Sequence, residues 1–126
     1  MTVENSNAKW ESAAAELAKL MEEKITLPVY ISYAICKNRL RIEQALSAYR
    51  MTRDDVIGTY SNGKGRLTEQ DDPELFEKAC REIADLAAIK VAVDITPVSL
   101  DELGACDKLP LNVMAALSFM ITEWEE

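Results

Sequence analysis

Hydrophobic residues recur along most of the chain with the three- and four-residue spacing of amphipathic helices. Ser6 or Asn7 can cap the first of these helices. Asp72 followed by Pro73 is typical of the start of the third. The pattern as a whole predicts four helices, over residues 6–24, 28–60, 73–88 and 109–123.

The second predicted helix is long and changes character along its length. Residues 29–36 are apolar nearly all round, which indicates burial on several sides. A narrower seam with heptad-like spacing follows, formed by Ile35, Ile42, Leu46, Tyr49, Val56 and Tyr60. A helix over 28–60 is roughly 48 Å long, more than a compact domain of this size spans. We therefore expect it either to project or to pack against a partner.

The helices over 28–60 and 73–88 are expected to pack antiparallel, because the polar segment between them is short. In that arrangement Ile42 and Leu46 are buried. Their predicted contacts on the third helix are Phe76, Cys80 and Ile83.

From residue 89 to residue 96 the hydrophobic period changes to two, which predicts a strand with one buried face. A single strand leaves backbone groups unpaired. Residues 25–27 are a poor partner because they run into Pro28, so two partners stay open: a short edge strand at 66–70, or the same strand of a second copy. The second choice predicts a homodimer.

These elements predict an α+β fold that is predominantly α, in a single domain over residues 1–126. A long antiparallel helix pair forms its centre, with N- and C-terminal helices and one minor β element.

Composition narrows the choice of partners. The chain has 126 residues, and 22 acidic against 14 basic residues give a net charge of −8, which disfavours direct binding to nucleic acid. The second helix is the exception, with a local charge of +2. Its basic side chains either pair with the acidic third helix or form a docking face. The candidate interface residues are Arg39, Arg50 and Arg53 of this helix and Val91, Val93 and Ile95 of the strand.

The inventory of reactive side chains excludes several chemistries. The chain has no histidine, and its three cysteines lack CxxC spacing, so no catalytic site, metal or cofactor is predicted. Cys36 and Cys80 fall on apolar faces and are expected to be buried, whereas Cys106 is expected in an exposed loop. No secretory signal or membrane-spanning segment is seen, so we expect a cytoplasmic protein with no membrane partner.

The segment over residues 27–103 resembles a family of small, uncharacterised proteins of tailed phages and prophages of Gram-positive bacteria. The shared layout is a long helix that begins with Leu-Pro, a variable loop, a second helix and a β segment ending in proline. The residues that carry the resemblance are Leu27, Pro28, Leu40, Glu43, Tyr49, Arg53, Tyr60, Val91, Val93, Ile95, Pro97 and Leu103. The resemblance implies a phage context, in the host cytoplasm, and no catalytic residues.

Two functions follow as hypotheses. The first is a non-enzymatic phage accessory or assembly protein that acts by binding another protein. The second is an acidic inhibitor of a host defence nuclease, anti-CRISPR-like or a nucleic-acid mimic, whose carboxylates compete for a basic channel. Salt separates them, because a mimic loses affinity steeply as salt rises and an apolar interface does not.

Overall fold

A computed structural model describes residues 1–23, 27–61, 72–99 and 111–121. Helices dominate this part of the chain, and a small antiparallel sheet joins them, so the predicted α+β, mainly α class is confirmed. The elements in chain order are β1 (Thr2–Ser6), α1 (Asn7–Glu22), α2 (Val29–Tyr60), α3 (Pro73–Ala88), β2 (Lys90–Asp94), α4 (Leu111–Leu117) and a 3₁₀ turn (Ser118–Met120).

Side chains cap two of the helices where the sequence predicts it. The Ser6 hydroxyl accepts a hydrogen bond from the backbone N–H of Lys9 at 3.3 Å, which caps α1. The Asp72 carboxylate accepts from the N–H groups of Glu74 and Leu75, both at 3.2 Å, and caps α3. Between these caps α2 runs without a break from Val29 to Tyr60.

The predicted strand is present as β2, and it pairs with a strand that the sequence did not predict. β1 pairs with β2 antiparallel, with Thr2 opposite Asp94 and Ser6 opposite Lys90. The chain therefore supplies its own partner strand, and the reason for expecting strand pairing between two copies disappears. The alternative partner, 66–70, lies outside the described residues.

Side chains of α2 bind the other edge of β2 and the residues that follow it. Asn38 donates from Nδ2 to the carbonyl of Thr96 at 2.9 Å and accepts at Oδ1 from its N–H at 2.7 Å. Arg41 donates to the carbonyl of Asp94 at 3.1 Å. The carbonyl of Asp94 and both backbone groups of Thr96 are thus satisfied by a helix instead of a third strand.

Trp10 belongs to the core and is fully buried. Its indole N–H donates to the carbonyl of Val91 at 2.8 Å, and its ring meets Phe119 edge-to-face at 5.9 Å. The C-terminal segment is joined to this core by a hydrogen bond from the N–H of Val98 to the carbonyl of Met120. The largest fully buried side chains are Trp10, Leu17, Ile31, Ile42, Leu46, Ile95, Leu117, Met120, Val98, Val113 and Asn38.

Ile42 and Leu46 are fully buried, as predicted, but their predicted contacts with α3 need correction. Cys80 is exposed, and Phe76 and Ile83 are only half-buried. The α3 residues packed against the core cluster are instead Leu86 and Ala87. Ala79, near the middle of α3, is buried too, so the helix is covered there as well as at the end that leads into β2.

The hydrogen bonds between α2 and the α3–β2 segment confirm that the two run in opposite directions. Tyr60 near the end of α2 donates to Glu82 of α3 at 2.9 Å, while Asn38, nearer its start, binds Thr96 beyond β2.

The expectation that residues 29–36 are buried on several sides is wrong for the described chain. Ile31, Ala34 and Ile35 face the core, but the remaining large residues of this segment are exposed. Cys36, expected to be buried, is exposed as well. Helical periodicity identifies apolar faces but not which of two apolar faces the fold covers. Cys106 and the end of the predicted C-terminal helix, 122–123, lie outside the described residues.

Candidate protein-interaction surface

Four residues form an exposed stripe along the first half of α2, called here the α2 stripe: Val29, Tyr33, Cys36 and Leu40. Successive members are four, three and four residues apart, so they lie on one side of the helix. Val29 is 86% exposed, Tyr33 62% and Leu40 72%. Such a contiguous apolar surface is informative, whereas single exposed apolar residues are common.

The α2 stripe lies opposite the face that α2 packs into the core. Ile31, Asn38 and Ile42 occupy that inner face and are fully or almost fully buried. One apolar face is enough to hold a helix on a domain. The outer apolar face is therefore surplus to the packing among the described residues.

A shallow groove of about 400 Å³ borders the α2 stripe, where the C-terminal end of α1 approaches α2. We call it the α1–α2 groove; its lining residues are Met21, Cys36, Arg39, Leu40 and Glu43. Met21 is itself 47% exposed, so the apolar surface continues from α2 onto α1.

Two cations stand beside the α2 stripe without a carboxylate partner in the described part of the chain. The ammonium of Lys37 lies 5.9 Å from the centre of the Tyr33 ring, within cation–π range. Arg39 donates to the sulfur of Met21 at 3.3 Å. Thioether sulfur is a weak acceptor, so the charge of Arg39 is left uncompensated there.

The other two predicted interface arginines are held within the molecule. Arg53 donates to both carboxylate oxygens of Glu11, at 3.2 and 3.0 Å. Arg50 lies 3.5 Å from the same carboxylate and also pairs with Glu43. The expectation that this basic helix pairs with acidic α3 is thus corrected for both arginines, because the carboxylate between them comes from α1.

Arg53 also stacks on an aromatic ring. Its guanidinium carbon lies 5.0 Å from the centre of the Tyr49 ring. Partial desolvation lowers the pKa of Arg53, but hydrogen bonds with Glu11 and Tyr49 outweigh it, and the pKa is raised above its usual value. This arginine stays charged and fastens α1 to α2.

The three strand residues of the predicted interface do not join these arginines on one surface. Val93 is 4% exposed and Ile95 1% exposed, because this face of β2 packs on the core. Val91 is half-buried, and its carbonyl accepts the Trp10 hydrogen bond. Of the six predicted residues, Arg39 alone borders the α2 stripe.

The described residues offer no sign of a second kind of site. Among them, no group of three or more cysteine or carboxylate side chains is placed to hold a metal ion. Every buried side-chain nitrogen or oxygen in this part of the chain has a hydrogen-bond partner. No helix within the described ranges is long and apolar enough to cross a membrane.

Comparison with known proteins adds no relative: no family model, curated protein or solved structure matches the chain. The resemblance to phage proteins therefore stays a prediction, and the function is argued from the surface itself.

Proposed function

We propose that this is a non-enzymatic protein-binding protein and that the α2 stripe is its docking surface. The observation that carries the proposal is the exposure of Val29, Tyr33 and Leu40 along one side of a well-formed helix. Within the phage context implied by the sequence resemblance, the role is that of an accessory or assembly protein acting in the host cytoplasm.

The energetics of the α2 stripe suit such a role. Fully covering a large apolar side chain contributes about 1.5–3 kcal/mol. A few such residues, clustered and surrounded by polar groups, dominate the binding energy of most protein interfaces. Tyr33 suits an interface because its ring is apolar and its hydroxyl stays able to bond.

The test is affinity capture from a lysate of a host bacterium, using three forms of the protein. The wild type is compared with the double variant Tyr33→Glu/Leu40→Glu and with Met51→Glu. Met51 is a matched control, because it is 69% exposed and lies on α2 beyond the stripe. Circular dichroism and thermal melts establish that all three forms are equally folded.

We expect the wild type and Met51→Glu to retain the same protein, and the double variant to lose it. Retention should persist at about 1 M salt, where the Debye length is about 3 Å. Capture that is equal for all three forms would overturn the assignment of the stripe. Capture that disappears with salt in all three would favour the acidic nuclease inhibitor instead.

A further inference from the structure

The spacing within the α2 stripe indicates the shape of what covers it. Intervals of four, three and four residues are those of the a and d positions of a helix that packs lengthwise on another helix. From Val29 to Leu40 the stripe is roughly 16 Å long, which is about three helical turns. The α1–α2 groove beside it offers a place for side chains from a second helix, as in helix-in-groove recognition.

The charges beside the α2 stripe indicate which charges the partner helix carries. At 100° per residue, Lys37 and Arg39 fall on opposite sides of the stripe. Neither has a carboxylate partner among the described residues. Glu43, the acidic residue of the α1–α2 groove, is paired with Arg50. The unpaired charges that α2 itself places beside the stripe are therefore both positive, although the whole chain carries −8. On the α1 side, Glu23 lines the pocket next to Met21 and Cys36, so Lys37 marks the more positive border.

This charge arrangement disfavours a second copy as the occupant. In a symmetric antiparallel pair centred on Cys36, the two copies of Lys37 would meet across the two-fold axis. Like charges placed in this way cost affinity and suppress the wrong partner. A helix with acidic borders has the opposite effect at every one of these positions.

Resting on the proposed function, we infer that the partner is an amphipathic helix whose apolar a/d stripe is bordered by glutamate or aspartate. It packs along Val29, Tyr33, Cys36 and Leu40. Its acidic residues pair with Lys37 on one side and Arg39 on the other.

The probe for this inference is a fluorescent 21-residue peptide designed with leucine at a and d and glutamate at e and g. Repulsion between the glutamates keeps the free peptide from pairing with itself. A second peptide carries lysine at e and g, and a third has the acidic composition in scrambled order. Fluorescence anisotropy measures binding to the wild type, to Lys37→Glu/Arg39→Glu and to Leu40→Glu.

We expect the wild type to bind the acidic peptide at least about tenfold more tightly than the lysine peptide, since two ion pairs replace two repulsions. The scrambled peptide should also bind more weakly, because its leucines no longer form one stripe. The charge-reversed protein should prefer the lysine peptide, and Leu40→Glu should bind neither. Equal binding of both ordered peptides, or no binding of the acidic one, would overturn the inference. The proposed function is tested separately: it fails if the wild type and the stripe double variant capture the same protein from lysate equally well.

Thiol alkylation in the variant Cys106→Ser locates the bound peptide. Cys36 lies in the α2 stripe, and Cys80 on α3 is an exposed control. The acidic peptide should slow alkylation of Cys36 several-fold and leave Cys80 unchanged. Equal protection of both thiols would place the peptide elsewhere. Protection of Cys36 without peptide, together with a dimeric mass in light scattering, would assign the stripe to a second copy.

Discussion

The two halves of α2 carry similar residue types and use them differently. In the second half, Arg50 and Arg53 are bound to Glu11 of α1, and Tyr49 packs beneath Arg53. In the first half, Lys37 and Arg39 have no carboxylate within the described ranges and border an exposed apolar stripe. A cation already paired inside the fold contributes to its cohesion, whereas an unpaired one is available to a partner. Local charge alone does not distinguish the two cases.

The largest effect is expected from comparing two leucines of the same helix. Leu46→Ala should lower the free energy of unfolding by about 2–5 kcal/mol, because it leaves a cavity in the core. Leu40→Ala, on the α2 stripe, should change it by less than about 0.5 kcal/mol. Denaturant unfolding measures both. If Leu46→Ala lowered the free energy of unfolding by less than about 0.5 kcal/mol, the heptad-like seam of α2 that contains Leu46 would face solvent.

A second comparison separates the inner and outer sides of the first half of α2. Asn38→Ala leaves both backbone groups of Thr96 without their partner, and should cost about 2–3 kcal/mol. Lys37→Ala should stay within about 0.5 kcal/mol of the wild type. Urea melts of the two variants test this, and equal midpoints would contradict it.

A smaller effect is expected where charges hold the two helices together. Glu11→Gln removes the carboxylate shared by Arg50 and Arg53, and should cost about 1 kcal/mol at low salt. The cost should shrink as salt rises. Arg39→Gln should leave thermal stability unchanged at every salt concentration. If Arg39→Gln lowered the thermal stability more than Glu11→Gln, Arg39 and not the pair Arg50 and Arg53 would be the cation that holds the fold together.

The smallest effect concerns the end of α2. The hydrogen bond to Glu82, with some desolvation, raises the pKa of Tyr60 above its usual value of 10.0. A raised pKa in the folded state adds stability below the unfolded pKa, and this contribution is lost as pH rises through the folded pKa. Glu82→Gln should shift the pKa of Tyr60 downwards in an NMR titration. An unchanged pKa would contradict the hydrogen bond.

The helices and β2 were predictable because each carries a period that repeats over many residues. β1 was not, because Thr2–Ser6 contains a single large apolar residue, Val3, among polar ones. Its pairing with β2 depends on a contact between distant parts of the chain. No local pattern in the sequence reports such a contact.

The sequence indicated part of the candidate surface. The all-round apolar character of residues 29–36 signalled that α2 has more apolar surface than one packed face requires. Whether the surplus is buried by the same chain depends on where the other helices lie, which the period does not specify. Likewise, the basic residues of α2 could be counted, but Glu11, 42 positions before Arg53, could not be chosen as their partner.

The pairing of β1 with β2 has a consequence for synthesis on the ribosome. Residues 2–6 are made well before their partner strand, which begins at Lys90. Contacts between such distant segments form slowly, because a long loop must close before they are gained. Residues 2–6 and the side of α1 that carries Trp10 therefore stay uncovered while the intervening helices are translated. Another protein that binds residues 29–60 during this interval would therefore meet them before the core behind them has formed.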